Sequence, residues 1–329
     1  MGRAQSGYPG LERGAISPEA SRQAGEIEER LSPRPLTRGD LAPPGAGAIG
    51  DDARLREAEN RAIFAGNRAH GRVCLALVAT PRGTKRIATR EEGSLRVRFP
   101  NVAAGAPEAV FINTAGGIAG GDRFAVELAL AAGARLTVTT AAAEKVYRSL
   151  GPDACVNVSA ILADGAELTW LPQETILFGR ARLARTITVA LARSAKLILA
   201  EMIVFGRSAR GETVHEGSLA DRWQVRRDGR LIFAENLRLD GPVSERLSQA
   251  AVAGGRIALG TVLIAPGDAA AVAAVRAASE QFHGEAGISA WNGMALARLA
   301  STDGAALRHD IVVLLSALGR RALARSWLS

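Results

Sequence analysis

The sequence predicts a mainly β fold, a β-helical stack of strand repeats with two α-helices in its C-terminal half. Three observations lead there. Four segments share one design, "AGARLTVTT" from Ala132, "DGAELTWLP" from Asp164, "RSAKLILAE" from Arg193 and "RDGRLIFAE" from Arg227; each has a small turn pair, a charged residue, Leu and a strand. Their turn positions, Gly133, Gly165, Ser194 and Gly229, are offset by 32, 29 and 35 residues. The first three copies each follow another alternating strand, "FAVELALA", "CVNVSAILA" and "RTITVALA". A strand, turn and strand recurring at a fixed period is the sign of stacked β-coils that bury a continuous core between copies. An antiparallel meander with similar turns is the alternative, and either arrangement makes residues 70 to 245 mainly β.

Residues 1–60 hold Pro9, Pro18, Pro33, Pro35, Pro43 and Pro44 among Gly, Ser, Arg and Glu, with little apolar periodicity. Such a stretch buries too little surface to offset its ordering entropy. It is expected to be a disordered extension, ending in a short charged helix near Ala53 to Ala69. Residues 61–329 are expected to form one β-rich domain.

That domain opens with "GRVCLALVAT" and "GSLRVRFP", two strand-forming segments broken by Gly and Pro, and a fainter repeat starts at "GAPEAVF". After "GRIALGTVLIAP", Asp268 stands where an N-cap belongs, ahead of the helical "AAAVAAVRAASEQF". "SAWNGMALARLA" reads as one more strand. "AALRHDIVVLLSALGRRALARS" reads as a helix with Leu307, Ile311, Leu314, Leu315 and Leu318 on one core-facing side.

With 47% hydrophobic residues the chain is globular, and a formal charge of +8 raises the question of nucleic acid. The arginines are scattered through apolar stretches and aromatics make up only 4%, too few to stack bases. A basic surface equally suits an acidic protein partner. Cys74 and Cys155 make no CxxC spacing and are expected to be buried thiols. With no apolar leader or run of membrane-spanning length, the protein is expected to be soluble and cytoplasmic.

"NTAGGIAGGD", residues 113–122, invites comparison with a phosphate loop. Gly121 is followed by Asp122 and Arg123, so the Lys and Ser or Thr of such a loop are missing, and two Gly-Gly pairs do not match a dinucleotide fingerprint. A tight chain reversal with positive φ is expected instead.

Motifs for catalysis are scarce. His70, His215, His283 and His309 form no metal-binding pair by sequence spacing, and there is no GxSxG elbow. Carboxylates are more informative. Glu201 and Glu235 take the same place in the third and fourth copies, and Glu174 follows the second. Stacked coils would bring equivalent positions to about 4.8 Å, where two carboxylates repel unless a proton, an arginine or a cation intervenes. The plain reading pairs them with Arg180, Arg207 and Arg210; Asp122 is either a functional carboxylate or a turn residue capping backbone N–H groups.

The runs "NTAGGIAGGDRF", "TVTTAAAEKVYRS", "TWLPQETILF", "FGRSARGE", "DRWQVRRDGRLIFAE" and "SAWNGMALARL", in this order, resemble the urease accessory protein D family, also called UreD or UreH, in a likeness that covers residues 68 to 325. The first 60 residues have no counterpart in the family pattern, and the ending "LARSWLS" departs from its usual Leu-Pro-Arg and Trp. The resemblance implies a non-enzymatic maturation factor. It would bind urease apoprotein and, through UreF, recruit the nickel-carrying GTPase UreG. It further implies a β-helical stack with two helices, no permanently bound cofactor, and transient nickel passing weak oxygen ligands. Asp122, Glu174, Glu201 and Glu235 are the candidates for that path, with Glu144 and Glu212 behind them. The rivals are a stand-alone enzyme using the Asp and Glu cluster for acid-base chemistry, and a basic nucleic-acid-binding β-protein.

Overall fold

Alternation of side chains decides the architecture. Along Arg182–Leu191, Leu183, Arg185, Ile187, Val189 and Leu191 are buried while Thr186, Thr188 and Ala190 face water. A strand so patterned lays one face on a core and leaves the other wet. The computed structural model describes residues 66–100, 106–319 and Trp327. The expected extension over 1–60, the charged helix near Ala53 and most of the segment after Gly319 lie outside the described residues.

In chain order the strands are β1 (His70–Thr80), β2 (Gly83–Gly93), β3 (Leu95–Arg98), β4 (Glu108–Asn113), β5 (Arg123–Leu130), β6 (Arg135–Thr140), β7 (Glu144–Val146), β8 (Ala154–Leu162) and β9 (Glu167–Trp170). There follow β10 (Thr175–Leu177), β11 (Arg182–Leu191), β12 (Lys196–Phe205), β13 (Glu216–Arg227), β14 (Arg230–Pro242) and helix α1 (Val243–Ser248). The chain continues through β15 (Ala258–Ala265), α2 (Ala269–Ala277), β16 (Glu285–Trp291), β17 (Met294–Ser301) and α3 (Gly304–Ala317).

The strands build two facing sheets. One has the order β14-β13-β11-β8-β5-β1-β2, the other β16-β17-β15-β12-β9-β6-β4-β3, with the short β7 and β10 attached beside β12. Strands β1, β5, β8, β11 and β13 run parallel in the first sheet, and β4, β6, β9 and β12 in the second. The chain thus winds from sheet to sheet as a β-solenoid of about four turns. The stack read from the repeat is therefore the fold, and the "GAPEAVF" copy supplies β4.

The repeat turns stack as arches between the sheets. Ala134, Ala166 and Ala195 each donate back three residues, to Ala131, Ala163 and Ala192 at 3.0, 3.0 and 3.1 Å. Gly133 N donates to Asp164 O at 2.9 Å, and Gly165 N to Ser194 Oγ at 2.8 Å, which ties successive arches together.

The fourth copy departs from the expectation. Asp228 and Gly229 both have positive φ, 49° and 78°, and β14 returns antiparallel beside β13 in the same sheet. Two consecutive positive-φ residues make a tight hairpin turn, which folds the chain back instead of arching it across. Asn292 and Gly293, at 49° and 72°, do the same within "SAWNGMALARLA", so that segment is the hairpin β16 and β17 rather than one strand. Strand β2, also unanticipated, pairs with β1 after the turn at Thr80.

Both expected helices form. Asp268 caps α2 by accepting from Ala271 N at 3.0 Å, and Asp303 caps α3 by accepting from Ala305 N and Ala306 N at 2.9 Å each. Helix α3 lays Leu307, Ile311, Leu314 and Leu315 on the outer side of the second sheet, against Met202, Val204 and Val262. That cover explains why all of β12 after Lys196 is buried: Leu197 and Leu199 face the inter-sheet core, while Ile198, Ala200, Met202 and Val204 face the helices. The short α1 was not foreseen. Among the described residues no helix is long and apolar enough to cross a membrane.

Candidate functional site

Parity along β11, β12 and β13 places three ionisable side chains inside. Arg185 shares the inward set of β11 with Ile187 and Val189, Glu201 that of β12 with Leu199, and Asp221 that of β13 with Trp223 and Val225. Arg185 and Asp221 are direct partners across the ladder. The guanidinium forms a fork on Asp221, Nε to Oδ1 at 3.0 Å and Nη2 to Oδ2 at 2.6 Å, and its Nη1 meets Glu201 Oε2. Two indoles close the network: Trp170 Nε1 donates to Glu201 Oε1 at 2.8 Å and Trp223 Nε1 to Asp221 Oδ1 at 3.0 Å. All three charged side chains are at most 5% exposed.

One cation against two carboxylates leaves an excess negative charge when both are ionised, a costly state away from water. Burial pushes the Glu201 carboxyl up, with Asp221 adding to the rise and Arg185 and Trp170 opposing it. Burial works against the charge on Arg185, but Asp221 and Glu201 outweigh it and hold the guanidinium more firmly protonated than usual.

This network separates two cavities. The first, about 270 Å³, runs among Phe111, Val126, Val158 and Trp170, with Asn113, Glu144, Arg185 and Glu201 as polar members of its wall. Burial raises the Glu144 carboxyl against the opposing hydrogen bond from Asn113 Nδ2, 3.1 Å from its Oε2. The second, about 520 Å³, is lined by Glu201, Asp221, Glu235, Thr261 and Arg298. Arg298 pairs with Glu235 and also donates to Thr261 Oγ1 at 2.9 Å. Glu201 borders both cavities.

Of the carboxylates singled out by sequence, the structure brings Glu201 and Glu235 to one cavity, but from opposite sheets rather than as neighbours in a stack, because β14 turned back. Asp122 and Glu174 border neither. Asp122 is 4% exposed, with Oδ1 accepting from Ala69 N at 2.9 Å and Oδ2 from Ala119 N at 2.7 Å. Glu174 meets Arg308 of α3 at 2.6 Å. Glu212 is bound by Arg207 at 2.6 Å, which holds its carboxyl below the ordinary range. The arginine pairing anticipated for Glu174, Glu201 and Glu235 occurs through Arg308, Arg185 and Arg298, not through Arg180, Arg207 or Arg210.

Arg185, Asp221 and both tryptophans escaped the sequence reading. Their signal was parity: in "RLARTITVAL" and "LADRWQV" the charged residue falls on the apolar alternate of its strand. Cys74 is buried, with its thiol pushed up to about 11 by burial and by Glu127, while Cys155 is only half-buried.

The glycine-rich reversal is as expected, with φ of 78° at Gly116, 151° at Gly117 and 90° at Gly121. The reversal leads from β4 into β5, with no helix behind its glycines as a strand–loop–helix phosphate loop has.

Residues 69–328 match the family model described as UreD urease accessory protein. The chain belongs to the UreD urease accessory protein family. Curated UreD relatives agree across nearly their whole length. The urease accessory protein UreD of Rhodopseudomonas palustris strain HaA2 is 52% identical over 271 residues, covering 82% of this chain and 97% of that protein. The UreD of Bradyrhizobium diazoefficiens strain USDA 110 is 52% identical over 267 residues, 81% and 96% of the two chains. UreD 1 of Bradyrhizobium sp. strain ORS 278 is 49% identical over 267 residues, again 81% and 96%. These UreD relatives are named as accessory proteins, in keeping with a non-enzyme.

Proposed function

We propose that this UreD-family chain is a cytoplasmic, non-catalytic scaffold that binds urease apoprotein, recruits UreF and through it the GTPase UreG, and conducts nickel to the forming urease centre. The observation that supports conduction is Glu201 standing in the wall between the two cavities, with Asp221 and Glu235 beyond it and Glu144 on the near side. Nickel here is cargo. A carrier path needs oxygen ligands that hold a divalent ion weakly, since imidazole or thiolate sets would retain it. Arg185 balances one of the two carboxylates it touches between passages and yields one of them when a cation arrives. Asp122 and Glu174 act outside this line, as structural clasps.

The test is co-expression of tagged protein with the urease subunits and the remaining accessory proteins, followed by pull-down, nickel analysis and urease assay. Recovery of urease and UreF supports the scaffold; a soluble chain that recovers neither overturns it. Glu201→Gln and Glu235→Gln should leave the complex intact and lower its nickel content and activation. Normal maturation with both variants combined would sink the conduction role while leaving the scaffold standing.

A further inference from the structure

We propose that His283, His309 and Asp310 form a surface site for one divalent transition-metal ion, separate from the carboxylate cavities and independent of the conduction reading. The chain has only four histidines, and the fold brings two of them together from positions 26 residues apart. Their rings stack at 4.1 Å between centroids with planes 6° apart, and the ligand atoms of the two histidines and Asp310 lie within 4.8 Å of one another.

Three features prepare these groups for a cation. His309 Nε2 lies 3.1 Å from Gln281 O. A carbonyl oxygen only accepts, so the neutral ring carries its hydrogen on Nε2 and keeps a lone pair on Nδ1, the usual outer-shell arrangement of a metal-binding histidine. Asp310, 1% exposed, accepts from His283 N at 2.7 Å through Oδ1 and from Gly284 N at 2.8 Å through Oδ2. That clasp holds the His283 segment against α3 while each carboxylate oxygen retains a second lone pair. Gly284 permits the approach: a Cβ there would stand 2.5 Å from Ala300 O and 3.1 Å from Asp310 Oδ2.

Both histidines are exposed, so water can complete the coordination shell and the rings can turn without disturbing the core. Turning is required, because parallel stacked rings point their lone pairs side by side, whereas a bound ion draws each nitrogen to about 2.1 Å. Two imidazoles, one carboxylate and water suit nickel, zinc or copper, and discriminate against magnesium and calcium, which prefer oxygen throughout.

The experiment uses the full-length, untagged chain, titrated separately with Ni²⁺ and Zn²⁺ by calorimetry and equilibrium dialysis, in wild type, H283A/H309A and H70A/H215A. The expected result is one bound equivalent fewer in H283A/H309A, or a loss of affinity at that equivalent of at least about tenfold. H70A/H215A should match wild type, and the thermal midpoint of H283A/H309A should stay unchanged. Equal stoichiometry and affinity in wild type and H283A/H309A would overturn the site and leave the stacked pair as packing. Loss confined to H70A/H215A would overturn it equally.

Discussion

Arg185 of β11 and Glu201 of β12 form a buried ion pair that joins the two sheets of the solenoid through its core. Asp221 takes the other side of the same guanidinium at 2.6 Å. The three charges are therefore unequal in what their removal leaves behind. Arg185→Met strands two carboxylates in apolar surroundings and should cost about 3–5 kcal/mol. Glu201→Gln leaves a neutral Arg185–Asp221 pair, but its one amide oxygen can serve Trp170 or Arg185 and not both, so it should cost about 1–2 kcal/mol. Urea unfolding at neutral pH checks the order, which fails if the two variants lose equally. The Arg185→Met deficit should shrink as pH falls and the stranded Glu201, already raised by burial, takes up a proton.

Glu144 gives a pH prediction of definite sign. Burial raises its folded carboxyl above the ordinary value of 4.5. Such a group contributes stability that is fully present below 4.5 and lost as pH rises through the folded value. Glu144→Gln has no charge to desolvate. It should be more stable than wild type at pH 8, and the two should converge below the ordinary carboxylate value. Denaturation midpoints measured from pH 4 to pH 8 would contradict this if the difference stayed constant.

Gly116 and Gly117 separate conformational strain from close approach. A Cβ on Gly116 meets nothing within 4 Å, so Gly116→Ala pays only for its positive φ, about 1–2 kcal/mol. At Gly117, φ is 151° and a Cβ would stand 2.4 Å from the Tyr147 ring and 2.9 Å from Lys145 O. Gly117→Val should therefore be insoluble under conditions where Gly116→Ala is recovered folded. Comparable soluble yields of the two would refute the close approach.

Asp122 should behave as a clasp. Asp122→Ala orphans the Ala69 and Ala119 N–H groups and should cost about 2–4 kcal/mol; Asp122→Asn, which keeps one accepting oxygen, should cost roughly half. In co-expression, urease activation should fall only as far as the amount of soluble protein falls. A fully stable Asp122→Asn chain that assembles the complex yet fails to mature urease would return Asp122 to the nickel line.

Local chemistry was readable wherever it repeats or punctuates. The arches at Gly133, Gly165 and Ser194 were visible as a period, α2 as an Ala-rich run behind the capping Asp268, and α3 as apolar residues at helical spacing. Asp228-Gly229 and Asn292-Gly293 were equally local signals of tight hairpins. Competing local patterns mask them: "RDGRLIFAE" matches the repeat and "SAWNGMALARLA" matches a strand. The consequence reached the site: once β14 turned back beside β13, Glu235 faced Glu201 across a cavity instead of stacking on it.

By itself the sequence determined the winding of the first three copies, the helices α2 and α3 and the family, because these follow from period, helical spacing and motif order along one strand of text. Only the tertiary structure decided which charges meet. Arg185 lies 16 residues from Glu201 and 36 from Asp221, and His283 lies 26 from His309. Their encounters depend on which alternate face of each strand turns inward and on how one sheet registers over the other. Burial then gives those encounters their energy: in water an arginine among several carboxylates has no preferred partner, whereas between the sheets Arg185 is committed to the two that share its interior.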